Sequence, residues 1–362
     1  MGIQIERLNH QEAVYDITVQ DNENFFANGI LVHNCAEIDL PTKPLQDIND
    51  PNGEISLCTL AAINIGLINH PSDFEEYADL AVRALDELLD YQEYPIIAAQ
   101  NSTMKRRPLG IGIINLAFFL AKRGLKYHDN SGIDAVHEYT EAWSYYLIKA
   151  SVNLAKEKGA CPGLNETKYG QGLMPIDTYK KEVDEVHNST LKMDWEELRS
   201  ALKKHGIRNS TLMACMPAET SAQISNSTNG IEPPRHLVSY KASKDGVMAQ
   251  VVPSLHRYRK SYDLLWDQQS PEGYLNICGV LQKFIDQGIS VNTSYVPKFF
   301  EGGKVPMSHL LQDIFYAYKL GIKQLYYSNT DDGSGDVDDE APKDLKEDED
   351  EDADEICDSC AI

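Results

Sequence analysis

One short stretch of the chain carries side chains that could break and remake a peptide bond. It reads His33-Asn34-Cys35-Ala36-Glu37 and follows a run of β-forming residues. The side-chain amide of Asn34 can attack its own backbone carbonyl, which would cleave the bond to Cys35. His33 can protonate the leaving amine near neutral pH, and the thiolate of Cys35 can accept an acyl group. The pattern predicts self-cleavage or acyl transfer at this bond.

The same cysteine can be interpreted a second way, together with the carboxylate that follows it. Cys35 and Glu37 are two residues apart, so on a strand their side chains point to the same face. A thiol beside a carboxylate suits hydrogen-atom and proton transfer on a bound substrate. His-Asn and Asn-Cys pairs also occur by chance in many loops, so this stretch alone leaves a purely structural role open.

Two later segments carry further candidate residues. Cys58 lies in the apolar run 55–64, where a cysteine is usually a small core hydrophobe. The segment 211–224 is predicted to pass from strand through turn to helix. The backbone N–H groups and hydroxyls at the start of that helix could bind phosphate, although an ordinary capped helix is the alternative. These candidate residues are Pro217, Ala218, Glu219, Thr220 and Ser221.

The last part of the chain contains two more pairs of candidate functional residues. Tyr326 and Tyr327 are adjacent on a predicted strand, so their side chains should point to opposite faces and serve in packing. Cys357 and Cys360 form a Cys-x-x-Cys pair at the end of an acidic tail. The tail offers no further zinc ligands, which favours a redox-exchanging dithiol. A flexible coil as long as this acidic tail spans on the order of 30 Å, enough for its cysteine pair to reach a buried site.

Composition limits the class of protein. The chain has 362 residues, of which 42% are hydrophobic and 25% are charged, with a net charge of −23 that argues against nonspecific binding to nucleic acid. Residues 331–362 hold 16 acidic residues and 2 lysines, a net of −14, so this tail is predicted to be disordered. Seven irregularly spaced cysteines do not suggest a disulfide framework. Without a signal peptide or a transmembrane-length apolar run, the sequence predicts a cytoplasmic protein.

Periodicity predicts alternating strands and helices. Strands are expected over 14–19, 25–27, 30–32 and 322–330, with a tight turn at Asn28-Gly29. Residues 55–64 fit a strand buried on both faces or the start of a buried helix. Residues 108–123 begin as a strand and continue as a helix. Helices are expected over 71–100, 132–158, 195–205, 275–287 and 307–320.

The first 34 residues resemble the C-terminal half of a split intein. The resemblance rests on Val14-Tyr15-Asp16-Ile17-Thr18-Val19 and on the run from Asn24 to Cys35. It implies that an N-terminal intein half on another chain completes the fold. It also implies that His33 and Asn34 drive asparagine cyclisation, that Asp16 occupies a recurrent acidic position, and that Cys35 begins the retained protein.

From Cys35 onward the chain resembles the C-terminal part of the large subunit of class I ribonucleotide reductase. The matching runs are Cys35-Ala36-Glu37-Ile38, Leu40-Pro41-Thr42-Lys43-Pro44, Asn52-Gly53-Glu54-Ile55-Ser56-Leu57-Cys58-Thr59-Leu60, Met216-Pro217-Ala218-Glu219-Thr220-Ser221, 225–235, Leu325-Tyr326-Tyr327-Ser328-Asn329-Thr330 and the terminal cysteine pair. The intein resemblance implies a small all-β fragment of HINT type over 1–34. The reductase resemblance implies the second half of a ten-stranded α/β barrel over 35–330. The acidic tail over 331–362 follows.

The resemblance also implies roles. Cys35 would carry the thiyl radical that abstracts the ribose 3′-hydrogen, Glu37 would act on the 3′-hydroxyl, and Cys58 would be one of two reducing thiols. Residues 217–221 would hold the diphosphate. Two pairs complete the set: Tyr326 and Tyr327 would relay the radical, and Cys357 and Cys360 would reduce the active-site disulfide.

Partners follow from the same resemblance. They are a chain with the N-terminal intein and reductase parts, a metal-containing small subunit that supplies the radical, thioredoxin or glutaredoxin, and a ribonucleoside diphosphate. The second reducing cysteine would lie on the other chain. No cofactor or metal is expected on this chain, and no nucleic acid or membrane is expected as a partner. The alternatives are a relic that associates without splicing and a non-catalytic acidic interaction module.

Overall fold

A computed structural model describes most of the chain between residues 24 and 331. The described residues are 24–27, 30–33, 36–243 and 246–331. The strand predicted over 14–19 and the predicted tail beyond residue 331 lie outside them. Five predicted site residues also lie outside the described residues: Asp16, Asn34, Cys35, Cys357 and Cys360.

Strands and helices alternate through the described part of the chain. The strands are β1 (Asn24–Ala27), β2 (Ile30–His33), β3 (Thr59–Asn64), β4 (Leu109–Ile114), β5 (Val238–Ser243), β6 (Gly246–Val251), β7 (Val291–Tyr295) and β8 (Leu325–Thr330). The α-helices are α1 (Phe74–Tyr91), α2 (Ile97–Arg106), α3 (Leu116–Ala121), α4 (Asn130–Lys158), α5 (Pro175–Thr178), α6 (Trp195–His205), α7 (Glu219–Ile224), α8 (Leu255–Tyr258), α9 (Glu272–Gln282) and α10 (Met307–Lys319).

The first two strands form the hairpin that the sequence predicts. They pair antiparallel, with Phe25 opposite Val32 and Ala27 opposite Ile30. The tight turn predicted at Asn28-Gly29 lies outside the described residues. Strand β2 ends at His33, immediately before the predicted cleavage site.

A series of parallel pairings organises the rest of the chain. Strand β3 pairs with β4 in register from Thr59–Leu109 to Asn64–Ile114. The segment 211–215 then joins β4 through a parallel bridge at Met213, and it joins residue Ile289 through another at Cys215. Strand β7 continues from that point and pairs parallel with β8. Five parallel segments thus lie side by side, with helices in the connections, as expected of an α/β fold.

Helices bury the apolar face of this series. Helix α4 packs against α1, α6 and α9, and Trp143 in its middle is fully buried with Phe119 and Phe284. Helix α4 ends at the predicted residue because Gly159 follows in a conformation with positive φ. The predicted bounds of α6 are confirmed. Packing of these apolar side chains holds the helices against the parallel strands that position the polar site.

Three predictions need correction. The helix predicted over 71–100 is two helices, because Pro95 lies between them and cannot donate a helical hydrogen bond. Only part of the apolar run 55–64 is a strand, and β3 is half-buried rather than buried on both faces. The strand predicted at the start of the segment 211–224 contributes isolated bridges at Met213 and Cys215. Strands β5, β6 and β7 were not predicted.

The described residues include no helix that is both long and apolar enough to cross a membrane. Within the same described part of the chain, no group of three or more His, Cys, Asp and Glu side chains is arranged to hold a metal ion.

Candidate functional site

The carboxylate of Glu37 is the buried centre of the candidate site. Its side chain is inaccessible to solvent. The hydroxyl of Ser290 donates to Glu37 Oε2 at 2.5 Å, and the backbone N–H of Gly288 donates to the Glu37 carbonyl at 2.9 Å. The segment 288–290, immediately before β7, therefore fixes both the backbone and the side chain of Glu37.

Cys58 immediately precedes β3 and lies within electrostatic range of Glu37. Its sulfur is 3.7 Å from Nε2 and 3.9 Å from Oε1 of Gln287, and that amide also donates to the Leu109 carbonyl at 2.8 Å. Burial, with smaller contributions from the charges of Glu37 and Asp286, raises the pKa of the Cys58 thiol to about 12. The thiol is therefore protonated near neutral pH.

Space for the Cys58 sulfur comes from the neighbouring strand. A Cβ atom added at Gly110 in β4 would lie 2.6 Å from Cys58 Sγ, closer than side chains tolerate. A second buried thiol, Cys215, lies near Glu37, and burial raises its pKa to about 12 as well. Two protonated thiols and one carboxylate thus share the interior of the parallel strands.

The predicted phosphate segment follows the carboxyl ends of the strands. Asn64 ends β3, and its amide donates to Ser227 Oγ at 2.9 Å. Asn115 follows β4 with φ of 70°, and its Oδ1 accepts from the Thr228 backbone at 2.9 Å. The backbone N–H of Ala218 donates to Asn229 Oδ1 at 3.1 Å. The loop after α7 is thereby tied to both strand ends.

The predicted turn and helix at this segment are confirmed, because Glu219 begins α7. Ala218 is buried, whereas four candidate side chains are exposed: Pro217, Glu219, Thr220 and Ser221. Ligand sites of α/β sheets commonly lie outside the carboxyl ends of the strands, and this segment lies at that edge.

The two tyrosines of β8 do not point to opposite faces as predicted. Their ring centroids are 3.9 Å apart, and the Tyr326 hydroxyl donates to the Tyr327 hydroxyl at 3.0 Å. The pairing of β7 with β8 shifts between Val291–Leu325 and Thr293–Ser328. An advance of three residues along β8 therefore corresponds to an advance of two residues along β7. A bulge of this kind changes the direction of a side chain, which brings both rings to one side.

Asn292 occupies the position in β7 that faces this bulge. Its Oδ1 accepts from the backbone N–H of Tyr327 at 3.0 Å, and its Nδ2 donates to Glu232 Oε1 at 2.5 Å. Burial raises the pKa of Glu232, and the hydrogen bond from Asn292 opposes that effect. Glu232 and Asn292 together support the backbone of the tyrosine pair.

The structure thus links Glu37 and Cys58 through contacts with the segment 287–290. It places residues 217–221 at the strand ends and the two tyrosine rings of β8 3.9 Å apart. Sequence reasoning missed Ser290, Gln287 and Asn292. Each lies far in sequence from the group it contacts, with separations of 253, 229 and 35 residues. No local pattern signals such contacts.

Comparisons with known proteins identify the family of this chain. Residues 19–328 match the family described as "Ribonucleotide reductase, barrel domain". The chain is 59% identical over 303 residues to the ribonucleoside-diphosphate reductase subunit alpha of Haemophilus influenzae, covering 84% of this chain and 40% of the relative. It is 58% identical over 314 residues to ribonucleoside-diphosphate reductase 1 subunit alpha of Escherichia coli, covering 87% and 41%.

A phage relative shows the same coverage. The corresponding subunit of Enterobacteria phage T4 is 45% identical over 315 residues, covering 85% of this chain and 41% of the relative. The chain thus spans about two fifths of the length of the curated relatives it matches. The matched family model covers most of the chain. The chain belongs to the ribonucleotide reductase barrel-domain family.

Proposed function

We propose that this chain is the C-terminal part of a ribonucleoside-diphosphate reductase large subunit that becomes active after protein trans-splicing. The observation that carries the reductase part is the buried contact between Ser290 and Glu37, with the protonated thiol of Cys58 beside it. An acid–base carboxylate and a hydrogen-carrying thiol on one barrel-domain chain are the groups that ribonucleotide reduction needs.

In the proposed reaction, Cys35 as a thiyl radical removes the ribose 3′-hydrogen and later returns it. Glu37 takes and returns the proton of the 3′-hydroxyl. The C2′–O bond breaks and the oxygen leaves as water. Cys58 and a second thiol on the partner chain supply two electrons and two protons, and they end as a disulfide. Because its pKa is about 12, Cys58 is protonated and has a hydrogen to give.

The remaining candidate residues serve binding and transfer in this proposal. Residues 217–221 bind the diphosphate, and their position beyond the strand ends supports this. Tyr326 and Tyr327 relay the radical from a small subunit, and their 3.0 Å contact supports a short transfer step. Cys357 and Cys360 reduce the disulfide by thiol exchange, and thioredoxin or glutaredoxin reduces them in turn.

A protein partner is supported by the helix α10, which precedes β8 in the chain. Large apolar side chains on one face of α10 are exposed, at positions spaced along that face. Such a face is typical of a protein interaction site. Its residues are Met307, Leu311, Ile314, Phe315 and Tyr318.

The splicing part of the proposal rests on the sequence motifs and on the β1–β2 hairpin. Strand β2 ends at His33, so the predicted Asn34–Cys35 cleavage site directly follows a paired strand. The family match begins at residue 19 and overlaps the proposed intein segment over residues 19–34. In this proposal one sulfur, that of Cys35, first serves splicing and afterwards carries the radical.

The test is to mix this chain with its N-terminal partner and to follow intact mass under reducing conditions. The expected result is a ligated product and release of the first 34 residues, followed by ribonucleoside-diphosphate reductase activity of the product with its small subunit. An Asn34→Ala variant is the control, because it lacks the amide that cyclises. Ligation without activity would contradict the reductase role.

A stable complex without ligation would instead indicate the non-splicing relic. Cys35→Ser separates the two roles of the sulfur. A hydroxyl can still accept an acyl group and support some ligation, but it cannot carry the radical. Reductase activity in the ligated Cys35→Ser product would contradict the proposal.

A further inference from the structure

We propose that Ser290 is a positioning residue that orients the Glu37 carboxylate for proton exchange with the substrate. The inference rests on the proposed reductase function and adds a residue to it. Ser290 lies 253 residues from Glu37 in the chain, in the segment that enters β7. It is 6% exposed, so its hydrogen bonds form away from bulk water.

The Ser290 hydroxyl has two neighbours with different hydrogen-bonding abilities. It accepts from the backbone N–H of Ala36 at 2.9 Å, and it lies 2.5 Å from Glu37 Oε2. The N–H can only donate, whereas a hydroxyl carries one proton of its own to give. That proton is therefore directed to Oε2, which acts as the acceptor while the carboxylate is charged. This hydrogen bond fixes the orientation of the carboxyl group that exchanges a proton with the substrate.

The backbone around Ser290 holds the hydroxyl in place. The Ser290 N–H donates to the Cys215 carbonyl at 3.0 Å, and the Gly288 N–H donates to the Glu37 carbonyl at 2.9 Å. Because Ala36 directly follows Cys35 in sequence, the same hydroxyl also holds the backbone next to the proposed radical cysteine. One side chain thus positions the acid–base group relative to the hydrogen-abstracting group, where small displacements are costly.

Two thiols among the described residues also lie within electrostatic range of Glu37. The thiols of Cys58 and Cys215 both interact electrostatically with the carboxylate. Burial raises the pKa of each thiol to about 12, so both are neutral near pH 7. Asp286 also acts on Cys58, and it accepts from the backbone N–H groups of Leu212 and Met213. Removing the Ser290 hydroxyl removes a hydrogen bond to the charged form of Glu37, so Glu37 should become easier to protonate.

The experiment uses the ligated reductase with its small subunit and compares Ser290→Ala with Ser290→Thr. The alanine variant should lower kcat by up to about 100-fold, the cost of displacing a catalytic group by about 1 Å, with KM for the nucleotide little changed. Its acidic limb of activity should move to higher pH. Threonine keeps the hydroxyl and should restore both values. Ser294→Ala, within β7, is the matched control and should behave like wild type.

The outcomes separate this inference from the proposed function. An active wild type with an unaltered Ser290→Ala pH profile would overturn the inference alone, even if kcat falls, because a purely structural defect would not shift the profile. An inactive wild-type enzyme would overturn the proposed function and this inference with it. Thermal unfolding midpoints verify folding, and Ser290→Cys, a weaker donor of similar size, provides a second variant with an expected intermediate shift.

Discussion

The side-chain oxygen of Asn292 accepts a hydrogen bond from the backbone N–H of Tyr327, with a donor–acceptor distance of 3.0 Å. This contact lies where the β7–β8 register shifts, so a side chain replaces a backbone acceptor opposite the bulge. The relationship ties the geometry of the tyrosine pair to a residue on the neighbouring strand.

Asn292→Ala should therefore impair radical transfer through the tyrosine pair. The Tyr327 N–H loses its acceptor, and the two hydroxyls should no longer remain 3.0 Å apart. We expect kcat of the ligated enzyme to fall about 10-fold, less than the roughly 100-fold cost of displacing reacting groups by about 1 Å. Glu232→Gln is the matched control, because its amide oxygen still accepts from Asn292. Equal activity of the alanine variant and wild type would show that this hydrogen bond does not position the pair.

Cys58 should resist alkylation in the folded chain. With a pKa of about 12, less than about 1% of the thiol is ionised at pH 9, and the thiolate is the reactive form. Iodoacetamide treatment between pH 7 and 9, followed by peptide mass analysis, should label Cys58 slowly. Labelling should become fast after unfolding in guanidinium chloride. Rapid modification of Cys58 in the folded chain at pH 7 would contradict the raised pKa.

Local patterns in the sequence predicted secondary-structure elements more successfully than they predicted tertiary contacts. The Asn28-Gly29 pair predicted the β1–β2 hairpin, and helical periodicity predicted α4 and α6, because each depends on neighbouring residues. The stacking of Tyr326 on Tyr327 could not be predicted from alternation, since the bulge results from pairing with β7. A one-residue register difference between two strands is invisible in either strand alone.

The candidate site shows the same limit. Cys58 and Glu37 could be named because whole motifs resemble a known family. Ser290 and Gln287 could not, because their partners are more than 200 residues away in the chain. The Gly110 position illustrates this further: its lack of a side chain makes room for the Cys58 sulfur of the adjacent strand. Such requirements become visible only when the strands are placed side by side.

Glu141 should be one of the most destabilising positions to truncate. Its fully buried carboxylate in α4 accepts from the backbone N–H groups of Lys192 and Met193 and from the Trp195 indole at 2.8 to 3.0 Å. Glu141→Ala leaves these donors buried without an acceptor, so the free energy of unfolding should fall by about 3 kcal/mol. Urea unfolding measures the change.

The neighbouring Glu138 provides the control for that prediction. Its ion pair with Lys192 is exposed, so Glu138→Ala should cost less than about 1 kcal/mol. Similar losses for the two variants would contradict the assigned role of Glu141.

Acid should destabilise the fold through a buried histidine pair. His137 is 2% exposed, and its ring lies 5.1 Å from that of His187. Burial, followed by the charges of Lys283 and His187, lowers the pKa of His137 to about 3, and burial also lowers the pKa of His187. The unfolded chain, with an ordinary histidine pKa near 6.5, therefore binds more protons than the folded chain between about pH 6.5 and 3.

Stability should thus be full above pH 6.5 and should decline as the pH falls through that window. Each pH unit is worth about 1.4 kcal/mol for one group, so His137 alone contributes a loss of roughly 3 kcal/mol by pH 4. Urea unfolding at pH 7.5, 5.5 and 4.5 measures this slope. His137→Phe should flatten it, whereas His128→Gln, which changes an exposed side chain, should leave it unchanged. An unaltered slope in the His137→Phe variant would assign the acid sensitivity to other groups.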